Sequence, residues 1–155
     1  DGALVCGVGY FPDEQDVKGH AAANKELAEM LAHLNSTGVM VVFGGDLNAH
    51  TGVNGDLTPR DKAGDMMLET ARLADMIVLN TVTGMCSGGP SRVQVRVTDI
   101  QASTLDYAMC SASMIERIDH LVIEDGQMDS DHRPLVLTTK GLTLKKPIPS
   151  ARIEV

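Results

Sequence analysis

The order of apolar and polar positions along the chain predicts a mixture of strands and helices. An apolar run over residues 3–10 closes on Phe11-Pro12, which reads as a buried strand stopped by proline. Over residues 16–35, Ala23, Leu27, Met30, Leu31 and Leu34 recur at helical spacing, and Lys25, Glu26, Glu29 and His33 fall mostly on the opposite side. Ser36-Thr37-Gly38 ends this helix, with Gly38 suited to a left-handed terminus. Residues 39–43 are continuously apolar but too few for a helix, which predicts a central strand. Gly44-Gly45 breaks it, and a polar loop runs on to about Arg60. A second helix over residues 63–75 would bury Met67, Leu68, Ala71 and Ala74, with a short strand following at 77–79. Beyond Gly88-Gly89-Pro90, Val93, Val95 and Val97 alternate with polar residues as a half-exposed strand should. Residues 105–109, 121–123 and 135–137 complete the strand set. The tail over 141–155, with Lys145-Lys146-Pro147 and Pro149, reads as a linker beside a domain at 1–140. There are no internal repeats, and the mixture predicts an α/β or α+β layered sandwich.

Composition adds constraints. A chain of 155 residues suffices for one domain with a real core, and 43% apolar with 22% charged residues is ordinary for a folded protein. With no Trp, two Phe and two Tyr, the interior must be filled by aliphatic residues and nine Met, which pack adaptably. The formal charge is 13 − 21 = −8. That excludes a non-specific nucleic-acid coat more firmly than a nuclease, whose cation-holding carboxylates lower the charge themselves. Cys6, Cys86 and Cys110 are odd in number and never in C-x-x-C spacing, so they read as buried or free thiols of a reducing, intracellular compartment and not as a disulfide frame or zinc site. No apolar run reaches membrane-spanning length and no signal peptide is evident, so a membrane is not expected as a partner.

Three acidic residues fall where strands are expected to end. Asp46 lies in Gly44-Gly45-Asp46-Leu47-Asn48, Asp106 in Ser103-Thr104-Leu105-Asp106-Tyr107, and Asp131 in Ser130-Asp131-His132-Arg133-Pro134. Strand ends along one sheet edge are where open α/β folds gather reactive groups. Hard divalent cations prefer carboxylate oxygens, and a neighbouring His works as acid or base near neutral pH. Each motif alone has an ordinary reading as a turn, a loop or a surface ion pair. All three in this order, each at a strand end, are hard to get by chance. An Asp beside a His, with another Asp able to orient that His, is the layout expected for metal-assisted attack on phosphorus.

Gly45-Asp46-Leu47-Asn48-Ala49-His50, Thr104-Leu105-Asp106-Tyr107 and Ser130-Asp131-His132-Arg133-Pro134-Leu135 resemble, in order, three motifs of the endonuclease/exonuclease/phosphatase superfamily. The run Gly-Gly-Asp-Leu-Asn-Ala-His-Thr-Gly and the Leu73…Leu79-Asn80-Thr81 segment are similar to the endonuclease domains of LINE-like (non-LTR) retrotransposons. Tyr10, in Gly9-Tyr10-Phe11-Pro12, matches the Tyr-x-Pro motif of that family. The resemblance covers residues 4–137 and implies the C-terminal part of a four-layered, DNase I-like α/β sandwich. It implies an Mg²⁺-dependent (or Mn²⁺-dependent) phosphodiesterase that nicks DNA, with a reverse transcriptase downstream in the parent polyprotein. Under it, Asp46 would orient or deprotonate the attacking water, and Asn48 would bond a non-bridging phosphate oxygen. His132 would stabilise charge on the scissile phosphate, with Asp106 fixing its tautomer. Asp131 and Asp46 would lie at the metal, and Tyr10 and Asn80 would contact substrate.

Two departures from the family pattern shape the expectations. The Asn-bearing strand and the metal-ligating Glu that open such domains have no counterpart here, since Asp1, Asp13, Glu14 and Asp16 stand in other contexts. A fragment is therefore expected, with weak metal affinity and exposed apolar sheet edges. The Val-Gln-Val-Arg-Val-Thr segment also replaces the usual Thr or Ser with an aromatic, leaving little for stacking on bases. A catalytically silent interaction module, or a phosphatase of the same superfamily acting on inositol phosphates, sphingolipids or nucleotides, are the alternatives. The acidic turn at 124–131 lacks the order of a calcium loop, and His20, His33 and His120 are expected in surface or capping roles.

Overall fold

Side chains alternate sides along a strand, and here both sides of the central strands find a partner layer. A computed structural model describes residues 3–13, 15–125 and 130–142. Its elements are β1 (Leu4–Tyr10), α1 (Val17–Ser36), β2 (Met40–Asp46), α2 (Lys62–Leu73), β3 (Met76–Val78), β4 (Cys86–Ser87), β5 (Arg92–Val95), β6 (Ile100–Ser103), β7 (Asp106–Ser111), β8 (Ile118–Ile123) and β9 (Leu135–Thr139). Short 3₁₀ turns at Leu79–Thr81 and Ala112–Arg117 continue the chain directly after β3 and β7.

The main sheet runs β1-β2-β7-β3, with β1 parallel to β2 and the other pairs antiparallel. Val41 and Phe43 of β2 and Tyr107 and Met109 of β7 face α1 and α2, forming a core with Leu27, Leu31, Met67 and Ala71. The alternate residues Met40, Ala108 and Cys110 face the other way and pack with Leu79, Met114, Ile118 and Leu121. That second core is shared with a sheet of order β4-β8-β9. β5 and β6 form a separate two-stranded ribbon. The α/β sandwich expected from sequence is thus observed.

Helix α1 begins at Asp16, whose Oδ1 accepts the Gly19 N–H at 2.9 Å, and Gly38 beyond its end has φ +74°. Its buried stripe is His20, Asn24, Leu27 and Leu31, with Ala23, Met30 and Leu34 only partly buried. His20 corrects the surface role expected for it. It is fully buried, edge-on to Phe11 at 5.9 Å, and neither ring nitrogen has a hydrogen-bond partner.

Gly44-Gly45 does not break β2 as expected. The strand continues to Asp46, with Gly44 opposite Ala108 and Gly45 opposite Tyr107. Gly45 has φ +144°, and a Cβ there would fall on the Gly9 carbonyl oxygen. The glycines let three backbones approach closely. The expected strand over 93–97 is also corrected: it ends at Val95, and the unpredicted β6 pairs with it. Val95, Val97 and Ile100 stay exposed because nothing covers that side of a two-stranded ribbon among the described residues. β1 is an edge strand with Val8 and Tyr10 exposed, as an uncovered apolar edge would be. No described helix is long and apolar enough to cross a membrane. The tail from 143 and residues 126–129 of the expected acidic turn lie outside the described residues.

Leu31 has no exposure, so Leu31→Ala is expected to lower the unfolding free energy by about 2–5 kcal/mol in urea titrations. Val97→Ser, at a fully exposed position, should change it by less than about 0.5 kcal/mol.

Candidate active site

Strand register assembles the site. Tyr10 stands opposite Asp46 across β1 and β2, and Asp46 stands opposite Asp106 across β2 and β7. Three residues remote in sequence therefore form one row at one edge of the sheet. Tyr10 is the exposed end of this row, and Asp46 and Asp106 are half-buried, with side chains 16% exposed.

His132 closes the row from the loop before β9. Its Nδ1 lies 2.9 Å from Asp106 Oδ2 and its Nε2 lies 3.9 Å from Asp46 Oδ2. An ionised carboxylate can only accept, so Nδ1–H donates to Asp106 and Nε2 is turned toward Asp46. Asp106 is itself held by Ser91, whose Oγ–H donates to Oδ2 at 2.7 Å. The same Oγ accepts the Leu105 and Asp106 N–H groups at 3.0 and 2.9 Å. Ser91 is fully buried and was not singled out from the sequence.

Asn48 follows Asp46 in a left-handed conformation, φ +42°, which Asn tolerates better than most residues. Its backbone N–H donates to Asp46 Oδ1 at 3.1 Å, and its Nδ2 donates to the Phe11 carbonyl at 2.9 Å. The loop beyond is anchored below the site by Tyr107. The Tyr107 hydroxyl lies 2.8 Å from the Ala49 and Thr104 carbonyl oxygens and accepts the Thr51 N–H at 3.2 Å. Burial pushes that phenol well above its usual range. His50 Nδ1 meets Asp56 Oδ2 at 2.9 Å, and Asp61 Oδ1 accepts the N–H of Gly64 at the start of α2.

Two expected site residues have their polar atoms engaged by neighbouring protein groups. Asn80 is buried, with Nδ2 donating to the Asp106 carbonyl at 3.2 Å and Oδ1 accepting the Ala108 N–H at 2.9 Å. Its amide is hydrogen-bonded to the β7 backbone on both sides of Tyr107, where it steadies Asp106. Asp131 points to β5, where Arg92 Nε and Gln94 Nε2 donate to its Oδ2 at 2.8 and 3.1 Å.

Burial raises the Asp46 pKa and the nearby Asp106 charge adds to this, against the opposing pull of the Asn48 N–H, His132 and Arg92. The Arg92 hydrogen bond holds Asp131 below the usual carboxylate range. Among the described residues, ligating atoms of Asp46, Asp106 and His132 lie within 4.8 Å of one another. Two carboxylates and an imidazole fit a divalent cation that keeps several waters and takes its remaining ligands from a phosphate.

A sequence model described as endonuclease-reverse transcriptase matches residues 6–136, most of the chain. The chain belongs to the endonuclease–reverse transcriptase family. Its fold is similar to the endonuclease domain of TRAS1, a telomere-specific non-LTR retrotransposon, with a TM-score of 0.65 at 22% identity over 88% of this chain and 56% of that one. It is also similar to the mannosyl-6-phosphatase Bt3783 of Bacteroides thetaiotaomicron VPI-5482, with a TM-score of 0.58 at 11% identity over 85% of this chain and 49% of that one. The chain therefore spans about half the length of these solved structures, and its fold is of the DNase I-like type. No protein of curated function matches it significantly in sequence.

Ser91→Ala would remove the donor to Asp106 and leave two buried N–H groups without their acceptor. A stability loss of about 1–3 kcal/mol is expected from chemical denaturation. For Asp46 the sign is opposite. A carboxyl whose folded pKa is raised favours the folded state while protonated and loses that contribution as pH rises through the folded value. Asp46→Asn should therefore unfold at higher denaturant than the parent at pH 7. The gain should disappear below the unfolded Asp pKa of about 3.9.

Proposed function

We propose that this chain cleaves phosphodiester bonds with the help of a divalent cation, Mg²⁺ or Mn²⁺, and that DNA is the substrate, nicked within a retroelement polyprotein that also carries a reverse transcriptase. The observation that carries this reading is the hydrogen-bonded line from Ser91 through Asp106 to His132, with Nε2 turned toward Asp46. Such a line fixes the imidazole in one tautomer and aims it at the space where the phosphate would lie.

Each residue then has a defined task. Asp46, made more basic by burial, orients the attacking water and accepts its proton. His132 donates to a phosphate oxygen as negative charge grows there, and Asp106 supports the charged imidazole. Asn48, rigid in its left-handed turn with one Nδ2 hydrogen on the Phe11 carbonyl, would offer the other to a non-bridging oxygen, and Tyr10 at the exposed end of the row would donate to the phosphate. A cation held by the carboxylates of Asp46 and Asp106 would neutralise charge on the phosphate and lower the barrier to attack.

Nicking of supercoiled plasmid in Mg²⁺ tests this reading. His132→Ala, Asp46→Asn and Asn48→Ala should each slow it about 100- to 1000-fold. Nicking that survives His132→Ala unchanged would remove His132 from the mechanism. Turnover of sugar monophosphates with intact plasmid would assign the site to a phosphatase instead.

A further inference from the structure

Outside the row of Tyr10, Asp46 and Asp106, the β5 strand carries an arrangement that the mechanism leaves unused. Val93 N–H donates to the Asp131 carbonyl at 2.9 Å and Arg133 N–H to the Ser91 carbonyl at 2.7 Å. These bonds set Arg92 directly opposite His132 in an antiparallel bridge. A pair flanked this way stands close, with both Cβ atoms on one face. Arg92 Nε donates to Asp131 Oδ2 at 2.8 Å, and Gln94 Nε2 supports the same oxygen at 3.1 Å.

Of the other arginine–carboxylate pairs, Arg60–Asp65 and Arg72–Glu69 have side chains half exposed or more, and Arg133, 28% exposed, pairs with an Asp125 that is 90% exposed. In Arg92–Asp131 both partners are partly buried, at 34% and 35% exposed. The charge of Arg92 also bears on Asp46. An anionic phosphate entering here meets Asp46, Asp106 and Asp131, so a permanent cation fixed beside His132 has an evident use. A guanidinium with only Nε engaged by the carboxylate it leans on can still present its two Nη groups.

We propose that Arg92 is a substrate-binding residue whose guanidinium, aimed by Asp131, grips a non-bridging oxygen of the scissile phosphate beside His132. Asp131 is then a positioning residue for Arg92. The inference rests on the phosphodiester reading of this site and adds to it the cation that holds the substrate phosphate.

The test uses the full chain and inorganic phosphate, read by the arginine Nε–Hε resonances in NMR, with plasmid nicking measured in parallel. Phosphate should shift the Arg92 resonance. Its affinity should fall at least about tenfold in Arg92→Gln, less in Arg92→Lys, and measurably in Asp131→Asn, which retains the guanidinium but not its brace. Amide spectra show which variants are folded, and Arg92→Lys, which keeps the charge and most of the volume, decides the matter if Arg92→Gln does not fold. An Arg92 resonance that ignores phosphate, or variants that bind phosphate like the parent while losing only thermal stability, would overturn the proposal. Plasmid nicking with no phosphate effect at Arg92 would sink this inference and spare the nuclease reading. Phosphate binding through Arg92 without phosphodiester cleavage would do the reverse.

Discussion

Every part of the site is tied to the hydrogen bonding of one residue, Asp106. Its N–H donates to Ser91, its carbonyl accepts from Asn80, and one carboxylate oxygen receives both the Ser91 hydroxyl and the His132 ring. A carboxylate held at this many points has little freedom to rotate, so the imidazole it carries is fixed as well. The main-chain register does the rest by setting Asp46 and Tyr10 abreast of it.

Such a row demands a particular sheet. β1, β2 and β7 must approach closely along the row of Tyr10, Asp46 and Asp106; Gly44 and Gly45 permit this, and Gly9 leaves room for the Phe43 ring. A Cβ on Gly44 would sit 2.9 Å from the Tyr107 carbonyl oxygen. The helices on one face and the second sheet on the other bury alternate side chains of β2 and β7, which pins the register: a slip of one residue would turn both cores inside out. Packing at a distance from the chemistry thus decides that Asp46 faces His132. Burial and the neighbouring Asp106 charge raise the Asp46 pKa, so the ionised carboxylate is held there at a cost in stability.

The sequence made some of this legible and concealed the rest. Helical spacing and apolar runs located both helices and most core strands, because those elements bury one clear face. The motifs around Asp46, Asp106 and His132 were visible because chemistry restricts both residue type and spacing. Ser91 was not, since a buried serine after a Gly-Gly-Pro turn differs from a loop serine only through contacts made across 15 residues. Asn80 and Asp131 were noticed, but pattern alone could not say that their polar atoms are spent on β7 and on Arg92. Gly44-Gly45 read as a break because glycine weakens strands in general, whereas here close backbone approach outweighs propensity. His20 looked like a surface residue because its burial depends on Phe11, which precedes the helix.

Asp106 is held to act through His132, the two forming one unit. A double-mutant cycle on the Mg²⁺-dependent rate of plasmid nicking, with Asp106→Asn, His132→Ala and both together, tests this most directly. Action as one unit predicts that Asp106→Asn slows the parent strongly and adds little once His132 is gone. Independent, multiplying losses in the double variant would contradict it.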